Sequence, residues 1–159
     1  LADKCGGSDC FICEYAAHPE LDSDNRVIWR GETSMTIFNT FPYNNGHLLV
    51  TPMAHLADLD DLDDATMHEL MNQVRNAKRL LKEITNAHGF NIGMNFGRCA
   101  GAGLPGHLHV HIVPRWEGDH NFMAVVGDIH VVSQSIGALY DQMQLIAPKL
   151  GLPPVGGEK

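Results

Sequence analysis

Apolar residues recur along this chain with two periods, and the switch between them marks its elements. Val27–Arg30 and Met35–Asn39 are rich in β-branched and aromatic residues, with Gly31-Glu32-Thr33 between them as a turn. Both read as strands. Phe41-Pro42-Tyr43-Asn44-Asn45-Gly46 is a turn cluster ending in Asn-Gly, and it leads into the strand His47–Pro52. That order predicts a hairpin.

The period then changes. Over Asp63–Ala87, Met67, Leu70, Met71, Val74, Ala77, Leu81 and Ile84 fall at spacings of three and four. Such a stripe predicts a long amphipathic helix. Asp60, Asp61, Asp63 and Asp64 crowd its start, where the helix dipole favours anions, and Gly89 follows its end. Phe90–Phe96 alternates again and reads as a strand. A glycine-rich loop, Gly97–Gly106, leads into a strand over Leu108–Val113 closed by Pro114. Ser135–Ile146 predicts a C-terminal helix with Ile136, Leu139, Tyr140 and Met143 inward. Strands, a long helix, then more strands imply an α+β fold with an antiparallel sheet. Residues 1–9, and 151–159 with their Gly and Pro, read as loose ends.

Composition narrows the picture. A length of 159 residues suits a single domain, and 44% apolar residues are enough to bury a core. The net charge of -8 argues against a nucleic-acid partner, which needs clustered Lys and Arg. A small phosphorylated ligand remains compatible, because backbone amides and imidazoles hold phosphate locally. No apolar run reaches the roughly 18 residues of a membrane span, so no membrane is expected. No signal-peptide pattern opens the chain. Four cysteines in this length do not make a secreted disulfide scaffold, and a reducing cytoplasm fits better. In that setting Cys10-Phe-Ile-Cys13 reads as half a metal site or a redox pair.

The chemistry concentrates in His107-Leu108-His109-Val110-His111. Side chains alternate in a strand, so the three imidazoles share one face, about 6.6 Å apart per two residues, over an apolar base of Leu108, Val110 and Ile112. Two chemistries fit. The imidazoles bind a catalytic zinc, or one of them attacks phosphorus while the others orient and stabilise. The approach Gly97-Arg98-Cys99-Ala100-Gly101-Ala102-Gly103 favours the second, since small residues let main-chain N–H groups come close to phosphate oxygens. For the metal, His55 and His107 complete a Cys₂His₂ set with Cys10 and Cys13.

The segment His107-Leu-His-Val-His-Ile-Val113 resembles the histidine-triad motif. The similarity runs from Cys10 to about Tyr140. It includes Phe38-Asn39, Pro-Tyr-Asn-Asn-Gly-His47, Thr51-Pro52-Met53-Ala54-His55 and Gly93-Met94-Asn95. The stretch Val113-Pro-Arg-Trp-Glu-Gly-Asp119-His-Asn-Phe-Met123 resembles the branch of diadenosine tetraphosphate phosphorylases and dinucleoside polyphosphate hydrolases.

The resemblance implies a histidine-triad fold, a homodimer and a nucleotidyl-histidine mechanism. His109 would attack the α-phosphorus, His111 would hydrogen-bond phosphate oxygens, and His47 matches a supporting histidine. Asn39 matches a ribose-binding position, where an amide suits a vicinal diol. Phe11, Ile12, Ile37 and Phe38 match apolar positions around the base, and Asn95, Ala102 and Gly103 match phosphate contacts. Zinc-binding members use the set present here as Cys10, Cys13, His55 and His107.

The chain departs from its relatives before the triad. Gly103-Leu104-Pro105-Gly106 stands where hydrolase branches carry Gln-Ser/Thr and the phosphorylase branch often carries Gly-Ser, so water and phosphate both stay open as acceptor. The alternatives in competition are a nucleoside phosphoramidase-type hydrolase, a zinc hydrolase with all three imidazoles on one metal, and a non-catalytic nucleotide-binding protein.

Overall fold

The computed structural model describes residues 10–119 and 134–156. Residues 1–9, expected above to be loose, the last residues 157–159, and the part of the resemblance at 120–123 lie outside the described residues.

In chain order the elements are α1 (Phe11–Ala17), β1 (Val27–Arg30), β2 (Ser34–Phe38), β3 (Leu48–Pro52), α2 (Asp64–Thr85), β4 (Gly89–Met94), β5 (Val110–Arg115) and α3 (Ile136–Ile146), with short 3-10 turns between some of them. The strands form one five-stranded sheet in the order β1-β2-β3-β5-β4. Every neighbouring pair is antiparallel. The α+β expectation with an antiparallel sheet therefore holds.

Strand alternation sorts the sheet into two faces. Ile28, Phe38, Leu48, Val50, Val110 and Ile112 are buried with Leu70, Val74, Ala77, Leu80 and Leu81 of α2 and Leu139, Tyr140 and Met143 of α3. Each such side chain contributes about 1.5–3 kcal/mol relative to exposure, so this face anchors the fold. Helix α2 begins where Asp63 accepts the main-chain N–H of Thr66 at 2.7 Å. It ends at Asn86, whose left-handed backbone (φ 50°) stops it. Of the expected stripe, Met71 turns out exposed, and Leu80 takes a core place beside Leu81. The opposite sheet face carries a smaller cluster of Cys10, Ile12, Cys13, Val27, Met35, Ile37 and Leu49, covered by α1.

Beyond shifts of one or two residues at element ends, three features depart from the sequence expectation. The last strand starts at Val110 rather than Leu108 and runs through Pro114 to Arg115. Its pairing with β3 ends at Leu48 opposite Ile112, so at Pro114 only β4 remains as a neighbour and a residue without an N–H is tolerated. Helix α1 had no periodic signal, being only seven residues long. The segment from Gly151 does not fray as far as Gly156. Leu152 and Val155 are buried, Trp29 Nε1–H donates to Pro153 O at 2.9 Å, and Gly156 N–H donates to Ile28 O at 3.0 Å. Two apolar side chains among the glycines and prolines pull that tail onto the core.

Candidate active site and metal centre

His107, Leu108 and His109 precede the ladder of β5, yet they are held as firmly as a strand. Thr51 Oγ1–H donates to Leu108 O at 2.7 Å, and Leu108 N–H donates to Leu56 O at 2.6 Å. The end of β3 and the chain after it therefore fix the start of the histidine segment.

From there the three imidazoles separate. His107 is buried, and its Nε2–H donates to Pro52 O at 2.9 Å. A carbonyl only accepts, so Nδ1 of a neutral His107 carries the lone pair. That Nδ1 lies 3.3 Å from Cys10 Sγ and 3.5 Å from Cys13 Sγ. Cys13 Sγ lies 3.2 Å from His55 Nδ1, and the rings of His55 and His107 meet edge to face at 5.1 Å. Burial and the neighbouring His55 and His109 push His107 down to about 4, against the opposing pull of the Pro52 carbonyl. The four donor atoms of Cys10, Cys13, His55 and His107 all lie within 4.8 Å of one another.

Ligands of a tetrahedral zinc stand roughly 3.3–3.8 Å apart. The three sulfur–nitrogen separations of 3.2–3.5 Å are close to that, and a set within 4.8 Å can draw in around a Cys₂His₂ zinc. The donor set is two soft sulfurs and two imidazoles, which suits zinc and leaves no position open for chemistry. None of Cys10, Cys13 and Cys99 is in a disulfide. Helix α1 makes this arrangement by placing Cys10 at its N-cap and Cys13 in its first turn.

His109 is also buried, and its Nδ1–H donates to His107 O at 2.7 Å. Its Nε2 is left with the free lone pair. The ring of His109 meets that of His111 edge to face at 4.9 Å.

His111 lies 2.9 Å through Nδ1 from Nε2 of His47. His47 is fully buried, and its Nδ1 faces the Tyr43 N–H at 3.0 Å, while Asn39 Nδ2 lies 3.2 Å from Nδ1 and 3.4 Å from Nε2. Nδ1 of His47 must therefore accept, Nε2–H must donate to His111, and the proton of His111 falls on its own Nε2. That Nε2 is buried with no hydrogen-bond partner among the described residues. Burial, followed by the charges of His111 and His109, holds His47 down to about 3. Burial and then His109 hold His111 down to about 4. Both are neutral at physiological pH. The face thus offers one nucleophilic nitrogen and one unsatisfied donor on adjacent rings, with no acidic side chain among the causes.

The other predicted residues divide. Ile12 and Ile37 are buried in the cluster on the histidine face, and Phe11 packs on it. Phe38, expected beside them, faces the other way, into the helix-side core next to Tyr140 at a ring separation of 6.3 Å. The single-residue step from Ile37 to Phe38 reverses the face. Asn39 is half-buried, and its Oδ1 accepts the Phe41 N–H at 3.0 Å. Ala102 is buried and Gly103 exposed. Asn95 follows β4 directly and is half-buried. In β4, Gly93 stands opposite His111. The sequence places Tyr43 only as part of a turn, yet its ring lies on His47 at 4.6 Å and on His111 at 5.7 Å. Its place in the turn cluster four residues before His47 was the available signal.

Residues 20–118 match the model of the HIT domain. The chain is 41% identical over 137 residues to AP-4-A phosphorylase of Mycobacterium tuberculosis, covering 86% of this chain and 69% of that protein. It is 34% identical over 95 residues to the asymmetrical bis(5'-nucleosyl)-tetraphosphatase of Schizosaccharomyces pombe, covering 60% of this chain and 52% of that one. A zinc-bound histidine triad family protein from Mycobacterium smegmatis superposes with a TM-score of 0.73 at 25% identity, over 92% of this chain and 98% of the other.

Proposed function

This chain belongs to the HIT domain family, and we propose that it cleaves dinucleoside polyphosphates, such as diadenosine tetraphosphate, through a nucleotidyl intermediate on His109. The observation that carries the reading is the pair of adjacent rings. His109 has Nδ1–H tied to His107 O, which frees its Nε2, and His111 presents an unpartnered Nε2–H beside it. The similarity to the phosphorylase and the tetraphosphatase supports the substrate class.

In the first step Nε2 of His109 forms a bond to the α-phosphorus, and the bond from phosphorus to the leaving polyphosphate oxygen breaks. Nε2–H of His111 hydrogen-bonds a phosphate oxygen as negative charge moves onto the leaving group. In the second step water or inorganic phosphate attacks the same phosphorus and releases His109. Splitting the transfer in two is nucleophilic catalysis. Asn39 binds the ribose hydroxyls in this reading. Phe11, Ile12 and Ile37 border the base, and Asn95, Ala102 and Gly103 approach the phosphates.

The geometry argues against a single tri-histidine zinc. Both nitrogens of His107 are turned to the thiol cluster and to Pro52 O, away from a point shared with His109 and His111. Cys10, Cys13, His55 and His107 would hold a structural zinc, which when bound ties α1 to the chain before β5.

The reading includes a homodimer in a reducing cytoplasm. The outer edge of β4 has no strand partner among the described residues, and Ile92 and Phe96 beside it are exposed. Light scattering on the full chain tests the dimer. Among the described residues no helix is long and apolar enough to cross a membrane. Function is tested by incubating diadenosine tetraphosphate with and without phosphate. ADP formed with ATP only when phosphate is present marks phosphorolysis, AMP formed with ATP in its absence marks hydrolysis, and no cleavage in either arm overturns the reading.

A further inference from the structure

The proton on His111 is set from outside the histidines. Tyr43 sits in the loop between β2 and β3, and the residue is 54% exposed. Its main-chain N–H is a donor that no change of pH removes, and it points at Nδ1 of His47 at 3.0 Å. This forces the His47 proton to Nε2, and the 2.9 Å contact forces the His111 proton to Nε2 in turn.

The ring of Tyr43 acts separately. It lies nearly parallel to His111, at 5.7 Å and 19°, and tilted on His47 at 4.6 Å and 42°. His109 meets another side of His111 at 69°. Across the sheet the neighbour of His111 is Gly93, and a Cβ built there meets no atom within 4 Å. β4 therefore supplies no side chain to pack on His111 at this position, and Tyr43 supplies one from the loop. Imidazole rotation about its last torsion is broad and roughly two-fold unless packing restrains it.

We propose that Tyr43 is a positioning residue for the transfer step, fixing the tautomer of His111 through His47 and clamping the His111 ring so that its Nε2–H faces the phosphate. The contact is chemically cheap to keep, because it uses one N–H and one aromatic face and no titrating group of Tyr43. The proposal rests on the nucleotidyl-transfer reading for what His111 meets, and not for the tautomer itself.

The test has two arms on the full chain. Imidazole ¹⁵N correlation spectra of wild type at neutral pH should show both His47 and His111 protonated at Nε2 only. A His111 protonated at Nδ1 overturns the relay. In kinetics with diadenosine tetraphosphate, Tyr43→Phe should keep turnover within about twofold, because the hydroxyl is not used. Tyr43→Ala should lower kcat by roughly ten- to a hundredfold, the cost of a misplaced catalytic group, with KM changed less than about threefold. Its His111 signals should broaden while the Nε2 tautomer is kept, because the main-chain N–H of residue 43 remains. Unchanged kcat in Tyr43→Ala, a rise in KM alone, or an equal loss in Tyr43→Phe each overturns the clamp. Full turnover in His109→Ala would instead defeat the underlying reading while leaving the tautomer spectra to stand on their own.

Discussion

The imidazole of His109 is tied at 2.7 Å to the main-chain oxygen of His107, the residue whose own ring closes the thiol cluster. One residue thus serves two centres, with its side chain on the sulfur side and its carbonyl on the ring of His109. That link separates two chemistries that three alternating histidines would otherwise share.

Removing the nucleophile should stop the reaction and spare the fold. His109→Ala is expected to lower turnover of diadenosine tetraphosphate by on the order of a thousandfold or more, the scale seen when a covalent nucleophile is deleted. Circular dichroism and thermal melting should stay close to wild type. Retained activity would mean that the phosphorus is attacked by another group.

Metal should follow the sulfurs and not the triad. Elemental analysis of protein purified with zinc is expected to give about one metal per chain in wild type and in His109→Ala. It should be strongly reduced in a Cys10→Ser, Cys13→Ser double variant, whose melting temperature also falls. A His109→Ala protein that loses its metal would revive the single tri-histidine site.

Acid should lower the stability of the folded chain through its buried histidines. His47 titrates at about 3 and His111 at about 4 in the folded chain, against an ordinary value of about 6.5. Both folded values are depressed, so below pH about 6.5 the unfolded chain binds more protons than the native one. Stability is therefore full above about pH 6.5 and is lost as pH falls from there toward about 4 and 3. His47→Gln should flatten this fall. Urea midpoints measured across pH 4–7 check it, and parallel slopes for the two proteins would remove His47 as a source.

Two glycines near the site should respond oppositely to a methyl group. Gly46 has φ +75°, and a Cβ there meets Leu81 Cδ2 at 2.9 Å and Pro114 Cγ at 3.4 Å. Gly46→Ala is expected to cost about 2–4 kcal/mol from strain and overpacking, and to lower activity because His47 follows it directly. At Gly103 an added Cβ meets nothing within 4 Å, so Gly103→Ala should stay within about 0.5 kcal/mol of wild type. Urea denaturation ranks the pair, and a Gly103→Ala loss as large as that of Gly46→Ala would contradict the packing.

The sequence by itself determined what depends on period and residue type. The three-and-four spacing through Leu70, Val74, Ala77 and Leu81 specified α2, runs rich in β-branched and aromatic residues bounded by turns specified β1 and β2, and alternation specified β4 and the histidine strand. The row of histidines was legible for the same reason, since polar side chains on every second position have to face away from the core. Tertiary structure alone decided how that row is divided. Spacing places His107, His109 and His111 in equivalent positions, but their partners come from far along the chain. These are Cys10 on α1, Pro52 at the end of β3, and His47 after the loop that carries Tyr43. It also decided that Phe38 joins the helix-side core while Ile37 stays on the histidine face, and that Leu152 and Val155 hold down a segment whose composition reads as loose. Such contacts are set by which surfaces meet when the sheet is covered, and no local pattern records them.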